Sequence, residues 1–273
     1  NDAGGIATFA SVGAEFGYSL LWILIPIAIS LGIVQEMCAR MGAVTGKGLA
    51  DLIRERFGVR WTALVMLALL VANGGVTVSE FVGIAAATEV IGGSHYARYV
   101  VVPLAGFMIW WLVVKGSYKR VERAFLLMSL VFLGYIASAF LARPDWSEVA
   151  IGLVKPEFKF EYVYIFTLVA VIGTTISPYM QVYVQSSVVD KGVTPEDYSK
   201  TKTDVWVGTI FAILIVFFIV VSTAATLNKA GIQISSAADA ARALQPLAGR
   251  YAETLFGLGL FGASMLAAGV LPL

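Results

Sequence analysis

The 273-residue sequence is 59% hydrophobic and only 14% charged, and its mean hydropathy is +0.83. These values exclude an ordinary soluble domain, and a net charge of +1 offers no overall polarity that would attract nucleic acid. The apolar stretches are each about 20 residues long and lack the alternation of barrel strands, so we predict an all-α integral membrane protein.

In chain order, the first predicted element is a half-span at 5–16, which is too short to cross the bilayer and follows a break at Gly4 and Gly5. Two amphipathic segments, at 48–57 and 235–248, are expected to lie along the membrane interface. We expect one transmembrane domain over 1–273 that is cut at both ends. Seven full spans are predicted at 18–41, 62–92, 97–115, 122–142, 162–189, 203–227 and 251–271.

We count the half-span as the first span. Most of the lysines and arginines then fall in the connections after the second, fourth and sixth spans. The positive-inside rule places these connections in the cytoplasm, so the half-span runs outward from the middle of the membrane. We therefore expect a multi-pass protein of the cell membrane, of the prokaryotic plasma-membrane type. Its expected partners are the lipid bilayer and its cargo, with no nucleic acid and no obligate protein partner.

Two spans are interrupted by polar, helix-breaking residues, the first at "DAGG" (2–5) and the sixth at "GTTISPY" (173–179). Irregular backbone is tolerated in a membrane only where it is buried in protein or lines a wet cavity. Because the interruptions lie five spans apart, they are typical of an inverted-repeat transporter whose paired broken helices frame the substrate site. We predict a first repeat over 1–142 and part of a second over 162–273.

Asp2 is the polar residue of the first interruption that most needs an explanation. A carboxylate at the bilayer centre costs about 2.5 to 3.5 kcal/mol on insertion scales, and a bound cation would offset that cost. Gly4 and Gly5 would let the backbone open, so that carbonyl oxygens face the ion. The alternative is that Asp2 is only a helix N-cap, and the alternative for 174–179 is a proline kink eased by Thr and Ser side chains.

Glu80 lies well inside the third span. It is either a carboxylate on a wet pathway or a protonated, hydrogen-bonded structural group, and both interpretations stay open. No span carries a set of His, Cys and carboxylate side chains at ligand spacing, so we do not expect an enzyme.

Two segments carry a family resemblance, "DAGGIATFASVGAEFGYSLLW" and "QEMCARMGAVTGKGLADLIRERFG". They resemble the Nramp divalent-metal transporters, whose first span carries an Asp-Pro-Gly-Asn motif. The resemblance implies the LeuT-type inverted-repeat fold, of which this chain would hold spans 1b to 8. It implies no cofactor, because the metal ion is the transported substrate.

The first-span motif differs from that of the family at two positions. Asp2 is retained, but the family proline falls on Ala3 and the family asparagine ligand falls on Gly5. A metal-site position at Gly5 would therefore lack the amide side chain of the family motif, and the site would be wider there.

The sixth-span motif of the family, Ala-x-x-Met-Pro-His, can be aligned here in two registers. Aligned from Gly173, the family Ala falls on Thr174, the Met on Ser177 and the His on Tyr179. Aligned backward from "YVQS", the Ala falls on Thr175 and the Met on Pro178. The resemblance thus implies a metal site formed by Asp2, Gly5, Thr174 or Thr175, and Ser177 or Pro178.

In either register the thioether ligand is lost, which leaves a site of oxygen atoms. Such a site suits a hard ion, and Mg²⁺ keeps several of its waters, so the pattern resembles the Nramp-related magnesium branch. In the family's proton pathway Glu80 matches the Glu, but Thr77 and Tyr179 replace an Asp and a His. We therefore predict uptake of Mg²⁺, and also of Mn²⁺, as a partly hydrated ion without proton coupling. The alternatives are a proton-coupled Mn²⁺ or Fe²⁺ importer and a divalent-cation channel.

Overall fold

The computed structural model describes residues 2–92, 95–115, 129–234, 236–241 and 250–271, and every regular element within them is helical. Short 3-10 turns lie at Leu21–Ile23, His95–Ala97 and Leu130–Phe132, and a π turn lies at Ala224–Asn228. The helices are α1 (Ala3–Phe16), α2 (Leu24–Thr45), α3 (Leu49–Phe57), α4 (Val59–Val90), α5 (Arg98–Lys115), α6 (Leu133–Leu141), α7 (Trp146–Val154), α8 (Tyr162–Thr175), α9 (Pro178–Asp190), α10 (Tyr198–Thr223) and α11 (Arg250–Val270).

The predicted spans agree with helices that are long and apolar enough to cross a membrane. Five such stretches occur in the described residues, at Leu21–Thr45, Val59–Val90, Tyr162–Asp190, Tyr198–Asn228 and Glu253–Val270. The span predicted at 97–115 is α5, and the amphipathic segment predicted at 48–57 is α3. Residues 122–128 of the predicted fifth span lie outside the described residues, as does most of the segment predicted at 235–248.

Helix α7 is an element that the sequence analysis did not predict. Asp145 caps its first turn, because its Oδ1 accepts hydrogen bonds from the Ser147 N–H at 3.0 Å and the Glu148 N–H at 3.5 Å. Hydrogen bonds from Ser147 and Glu148 lower the pKa of the Asp145 carboxyl. The sequence signal was present, since an Asp followed three residues later by a Glu is a typical start of a helix.

By their contacts the residues form two compact units, which are described separately. Unit 1 comprises 1–24, 76–174 and 214–273. Its core includes the buried Tyr135 ring of α6, which meets Phe256 of α11 edge-on at 4.9 Å between ring centroids. A Cβ atom on Gly134 would lie 2.9 Å from the Leu255 carbonyl oxygen, so a glycine lets α6 approach α11 closely.

Unit 2 comprises 25–75 and 175–213. A Cβ atom on Gly32 of α2 would lie 2.5 Å from the Trp206 ring of α10, so the indole packs directly on the glycine backbone. One turn further along α2, Glu36 accepts hydrogen bonds from Trp206 Nε1 at 2.8 Å and the Tyr198 hydroxyl at 3.0 Å, and Lys202 Nζ lies 3.1 Å away. Three donors from α10 therefore neutralise and orient this carboxylate.

Large apolar side chains of α4 are exposed in each unit. Leu67, Leu70, Val71, Val78 and Val82 each expose about 60% or more of their surface. Exposed apolar side chains on a long apolar helix are typical of contact with lipid. The predicted repeats, 1–142 and 162–273, concern chain symmetry rather than contacts, and they stay a prediction.

Candidate metal site

Asp2 caps the N-terminus of α1. Its backbone is extended, with φ −110° and ψ 172°, and its Oδ1 accepts a hydrogen bond from the Gly5 N–H at 2.5 Å. The prediction that the helix opens at Gly4 and Gly5 is wrong, because α1 begins at Ala3 and contains both glycines. The physical reason is that the cap supplies a partner for an otherwise unpaired N–H of the first turn.

The cap does not occupy the whole carboxylate of Asp2. Only Oδ1 is used toward Gly5, and an ionised carboxylate offers about four lone-pair sites. Asp2 is partly exposed, whereas Ala3 and Gly5 beside it are buried. Capping and cation binding are therefore compatible roles for the same side chain.

Glu80 of α4 lies at the same end of α1. Its two carboxylate oxygens accept hydrogen bonds from the Ala3 N–H, at 3.1 Å and 3.3 Å, and the residue is fully buried. The N-terminus of a helix carries partial positive charge, which repels a cation and attracts these carboxylates. Together Asp2 and Glu80 make the head of α1 an acidic site in spite of the helix dipole.

Thr174, in the last turn of α8, faces the same place. A Cβ atom built on Gly5 would lie 2.9 Å from Asp2 Oδ1 and 3.4 Å from Thr174 Oγ1. A side chain at position 5 would therefore crowd both a carboxylate and a hydroxyl. The polar side-chain atoms that these contacts bring to the head of α1 are all oxygens.

The predicted interruption of the sixth span is present. Helix α8 ends at Thr175 and α9 begins at Pro178, with Ser177 in an extended conformation at φ −73° and ψ 133°. A proline disfavours helical backbone in the residue before it and is well accepted at the first position of a helix, which explains the break. The end of α8 presents carbonyl groups that have no partner within the helix.

The remaining predicted residues are distributed over both units. Thr77 lies on α4 three residues before Glu80 and is half-buried in unit 1. Thr175, Ser177, Pro178 and Tyr179 belong to unit 2, where Pro178 is exposed and the other three are half-buried. Within unit 1 the structure therefore brings together Asp2, Gly5, Thr174 and Glu80.

Among the described residues, no three His, Cys, Asp or Glu side chains cluster at metal-ligand distance. A cation at the head of α1 would meet the Asp2 carboxylate, a hydroxyl, carbonyl groups and water, with the Glu80 carboxylate at the adjacent Ala3 N–H. This donor set is the one that hard divalent cations prefer.

The sequence analysis did not single out the residues that hold the other end of α1. Gly13 packs against Thr223, the last residue of α10, and Gly17 packs against Asn228 of the π turn that follows. The signal was the G-A-E-F-G segment, 13–17, because glycines four residues apart let two helices approach closely in a membrane.

This architecture is the LeuT-type inverted-repeat fold, as the sequence predicts. The structure is similar to that of a manganese transporter of Eremococcus coleocola in a variant form, with a TM-score of 0.75 and 18% identity. The same transporter in complex with an aromatic bis-isothiourea substituted compound gives a TM-score of 0.71 and 17% identity. Each comparison covers 99% of this chain and 62% of the other.

The chain belongs to the Nramp family, described as "Natural resistance-associated macrophage protein-like", which it matches over residues 1–273. It is 30% identical over 272 residues to the divalent metal cation transporter MntH of Yersinia pestis (strain Pestoides F) and to that of Yersinia pseudotuberculosis serotype O:1b. The match covers 97% of this chain and 65% of each relative. The family comprises transporters rather than enzymes, which agrees with the sequence prediction.

Proposed function

We propose that this protein imports divalent cations by alternating access, with Mg²⁺ as the main cargo and Mn²⁺ also accepted. The ion binds partly hydrated at the head of α1. The proposed site comprises Asp2, Gly5 and Thr174, together with Ser177 in the register that begins at Gly173. Thr175 and Pro178 are the corresponding positions of the other register.

The observation that carries this proposal is the acidic, oxygen-lined head of α1. Asp2 Oδ1 and Thr174 Oγ1 face the same space beside Gly5, and Glu80 is held at the adjacent Ala3 N–H. A thioether ligand helps to select softer transition metals, whereas oxygen ligands suit Mg²⁺. Because Mg²⁺ gives up its waters reluctantly, we expect it to bind as a partly hydrated ion.

The position of Thr174 supports the register aligned from Gly173. Its hydroxyl faces the cap of α1, as expected for a residue that takes the place of the family alanine beside the metal. The same register assigns Ser177, the residue just before α9, to the position of the family methionine.

We further propose that cation entry is not coupled to protons. The chain has one histidine, His95, which precedes α5 and belongs to none of the predicted spans. Thr77 and Tyr179 occupy the other family positions of the proton pathway, and neither residue exchanges a proton readily near neutral pH. Glu80 is the one carboxylate that remains on that route.

A second candidate function is proton-coupled Mn²⁺ import. The relatives are a divalent metal cation transporter and a manganese transporter, and Glu80 lies beside Asp2 where a proton-accepting group would be needed. A divalent-cation channel is a third candidate, and the dependence of uptake on Mg²⁺ concentration distinguishes it from alternating access. The proposal also includes the multi-pass arrangement in the cell membrane and the repeats 1–142 and 162–273.

The proposal is tested by measuring Mg²⁺ uptake into proteoliposomes that contain the full chain and an internal Mg²⁺-sensitive dye. We expect uptake that saturates with external Mg²⁺, because each cycle of alternating access carries a bound ion. Uptake that rises linearly over the same range indicates a channel. Uptake no faster than that of protein-free liposomes contradicts the proposed function.

A further inference from the structure

The C-terminal half of α1 packs unusually closely against the end of α10. A Cβ atom on Gly13 would lie 2.1 Å from Thr223 Oγ1 and 2.5 Å from the Val220 carbonyl oxygen. Both distances are far below a normal van der Waals contact, so only glycine fits here. Thr223 is fully buried at this contact.

Asn228 makes a second contact with α1, one turn further along that helix. Its Nδ2 donates to the carbonyl oxygens of Ala14 at 3.0 Å and Glu15 at 3.3 Å, which belong to the last turn of α1. Gly17 ends the helix with φ +58°, and a Cβ atom there would lie 3.0 Å from Asn228 Oδ1. Asn228 therefore acts as a C-cap supplied by another helix.

The π turn at Ala224–Asn228 explains how Thr223 and Asn228 both face α1. Thr223 and Asn228 are five residues apart, and on an α-helix side chains with this spacing point about 140° apart around the axis. A π turn holds one more residue per turn, so residues five apart come to lie on nearly the same face. Gly13 and Gly17, four residues apart on α1, then meet Thr223 and Asn228 in order.

We infer that α1 and the end of α10 move as one rigid body during transport, and that Asn228 is a positioning residue for the metal site. The inference rests on the proposed function. Helix α1 has 14 residues and is about 21 Å long, so a change in its tilt at Asn228 displaces Asp2 at the other end. Asn228 does not contact the ion and acts through the helix.

The first test removes the donor of Asn228. In Asn228→Ala and Asn228→Asp we expect the apparent KM for Mg²⁺ to rise several-fold, with the maximal rate per folded protein within about twofold of wild type. Amide hydrogen exchange in the last turn of α1 should become faster, a readout that does not require transport. The matched control is Gln233→Ala, which removes an exposed amide from the segment after the π turn and should change neither quantity.

If KM and the exchange of α1 both stay at wild-type values in Asn228→Ala, Asn228 is not a positioning residue and the inference fails. Faster exchange with an unchanged KM leaves a purely structural cap, which also contradicts it. Absence of uptake by the wild-type protein is a separate outcome, because it rejects the proposed function and not the contact between Asn228 and α1.

The second test joins the two helices covalently. Glu15→Cys and Lys229→Cys place thiols on exposed residues beside the contact and leave Asn228 in place. After bridging with a short bifunctional thiol reagent, we expect uptake to remain within about twofold of the unbridged protein, because the helices do not separate. Each single-cysteine variant treated with the reagent is the control. Uptake that is lost on bridging, and not in the controls, shows that α1 moves relative to α10 and overturns the inference.

Discussion

Helices α2 and α4 each carry a carboxylate that is shielded from bulk water, and the two carboxylates differ in the number of donor groups around them. Glu36 of α2 accepts hydrogen bonds from Tyr198 and Trp206 and lies 3.1 Å from Lys202 Nζ. Glu80 of α4 is more deeply buried, and the hydrogen bonds described for it come from the single N–H group of Ala3.

The number of donors indicates the role of each carboxylate. An ionised carboxylate that is shielded from water is stabilised by a countercharge and several hydrogen bonds, as the half-buried Glu36 is. Glu80 and Asp2 retain lone pairs that the contacts described above do not use. A carboxylate with remaining acceptor capacity can respond to an arriving cation, whereas a saturated one stabilises the packing of two helices.

The largest effect is expected when the charge of Asp2, the proposed cation ligand, is removed. In Asp2→Asn we expect Mg²⁺ uptake to fall at least about a hundredfold, because a neutral amide cannot offset the dehydration of a divalent cation. The protein should remain folded and monodisperse. Asp51→Asn, in an exposed residue of α3, is the matched control and should transport normally. Near wild-type uptake by Asp2→Asn excludes Asp2 as a ligand.

Restoring the family ligands should sharpen the selectivity of the acidic site. We expect Gly5→Asn combined with Ser177→Met to shift the preference toward Mn²⁺ over Mg²⁺ by about tenfold, since the pair adds a soft ligand and removes space. The new Cβ at position 5 lies 2.9 Å from Asp2 Oδ1, so the carboxylate must move slightly.

Two controls accompany this selectivity experiment, which is read from uptake of each ion into proteoliposomes. Gly5→Asn with Pro178→Met represents the other register, and Gly4→Asn tests a neighbour where a Cβ would meet no atom closer than 3.7 Å. An unchanged ratio of Mn²⁺ to Mg²⁺ uptake in both double variants would show that these positions do not line the site.

A smaller effect is expected at Glu80. An internal pH-sensitive dye should stay flat while Mg²⁺ enters, and Glu80→Gln should leave uptake within a few-fold of wild type, because the amide oxygen still accepts from the Ala3 N–H. Metal-dependent acidification that disappears in Glu80→Gln would show that this single carboxylate carries proton coupling.

The smallest effect on transport is expected at Glu36. Glu36→Gln weakens three contacts to α10, so we expect a melting temperature a few degrees lower and uptake per folded protein within about twofold of wild type. Thermal unfolding of the purified protein measures the first quantity, and Lys202→Met should give a shift in the same direction. A large loss of specific uptake in Glu36→Gln would remove the distinction between the two carboxylates.

Local signals in the sequence predict much of the fold. Pro178 after two threonines and a serine gives the break between α8 and α9, because the effect of proline on its neighbours is local. The start of α1 was mispredicted, since the cap from Asp2 outweighs the weak helix propensity of Gly4 and Gly5.

Contacts between distant parts of the chain could not be predicted in the same way. Glu80 reaches Ala3 across 77 residues, and Asn228 reaches Ala14 across 214 residues. Such pairs depend on how helices pack, which periodicity along one helix does not specify. The G-A-E-F-G segment at 13–17 marked a packing surface without naming its partner.

Competition between Mn²⁺ and Mg²⁺ tests whether Mg²⁺ is the main cargo. Uptake of Mn²⁺ into proteoliposomes is measured with increasing external Mg²⁺, and Mg²⁺ entry is followed in parallel. We expect Mg²⁺ to suppress Mn²⁺ uptake and to enter itself, since both ions use the proposed oxygen site at Asp2 and Thr174. If Mn²⁺ enters while Mg²⁺ in large excess neither enters nor competes, the magnesium proposal is contradicted and the protein is an ordinary transition-metal importer.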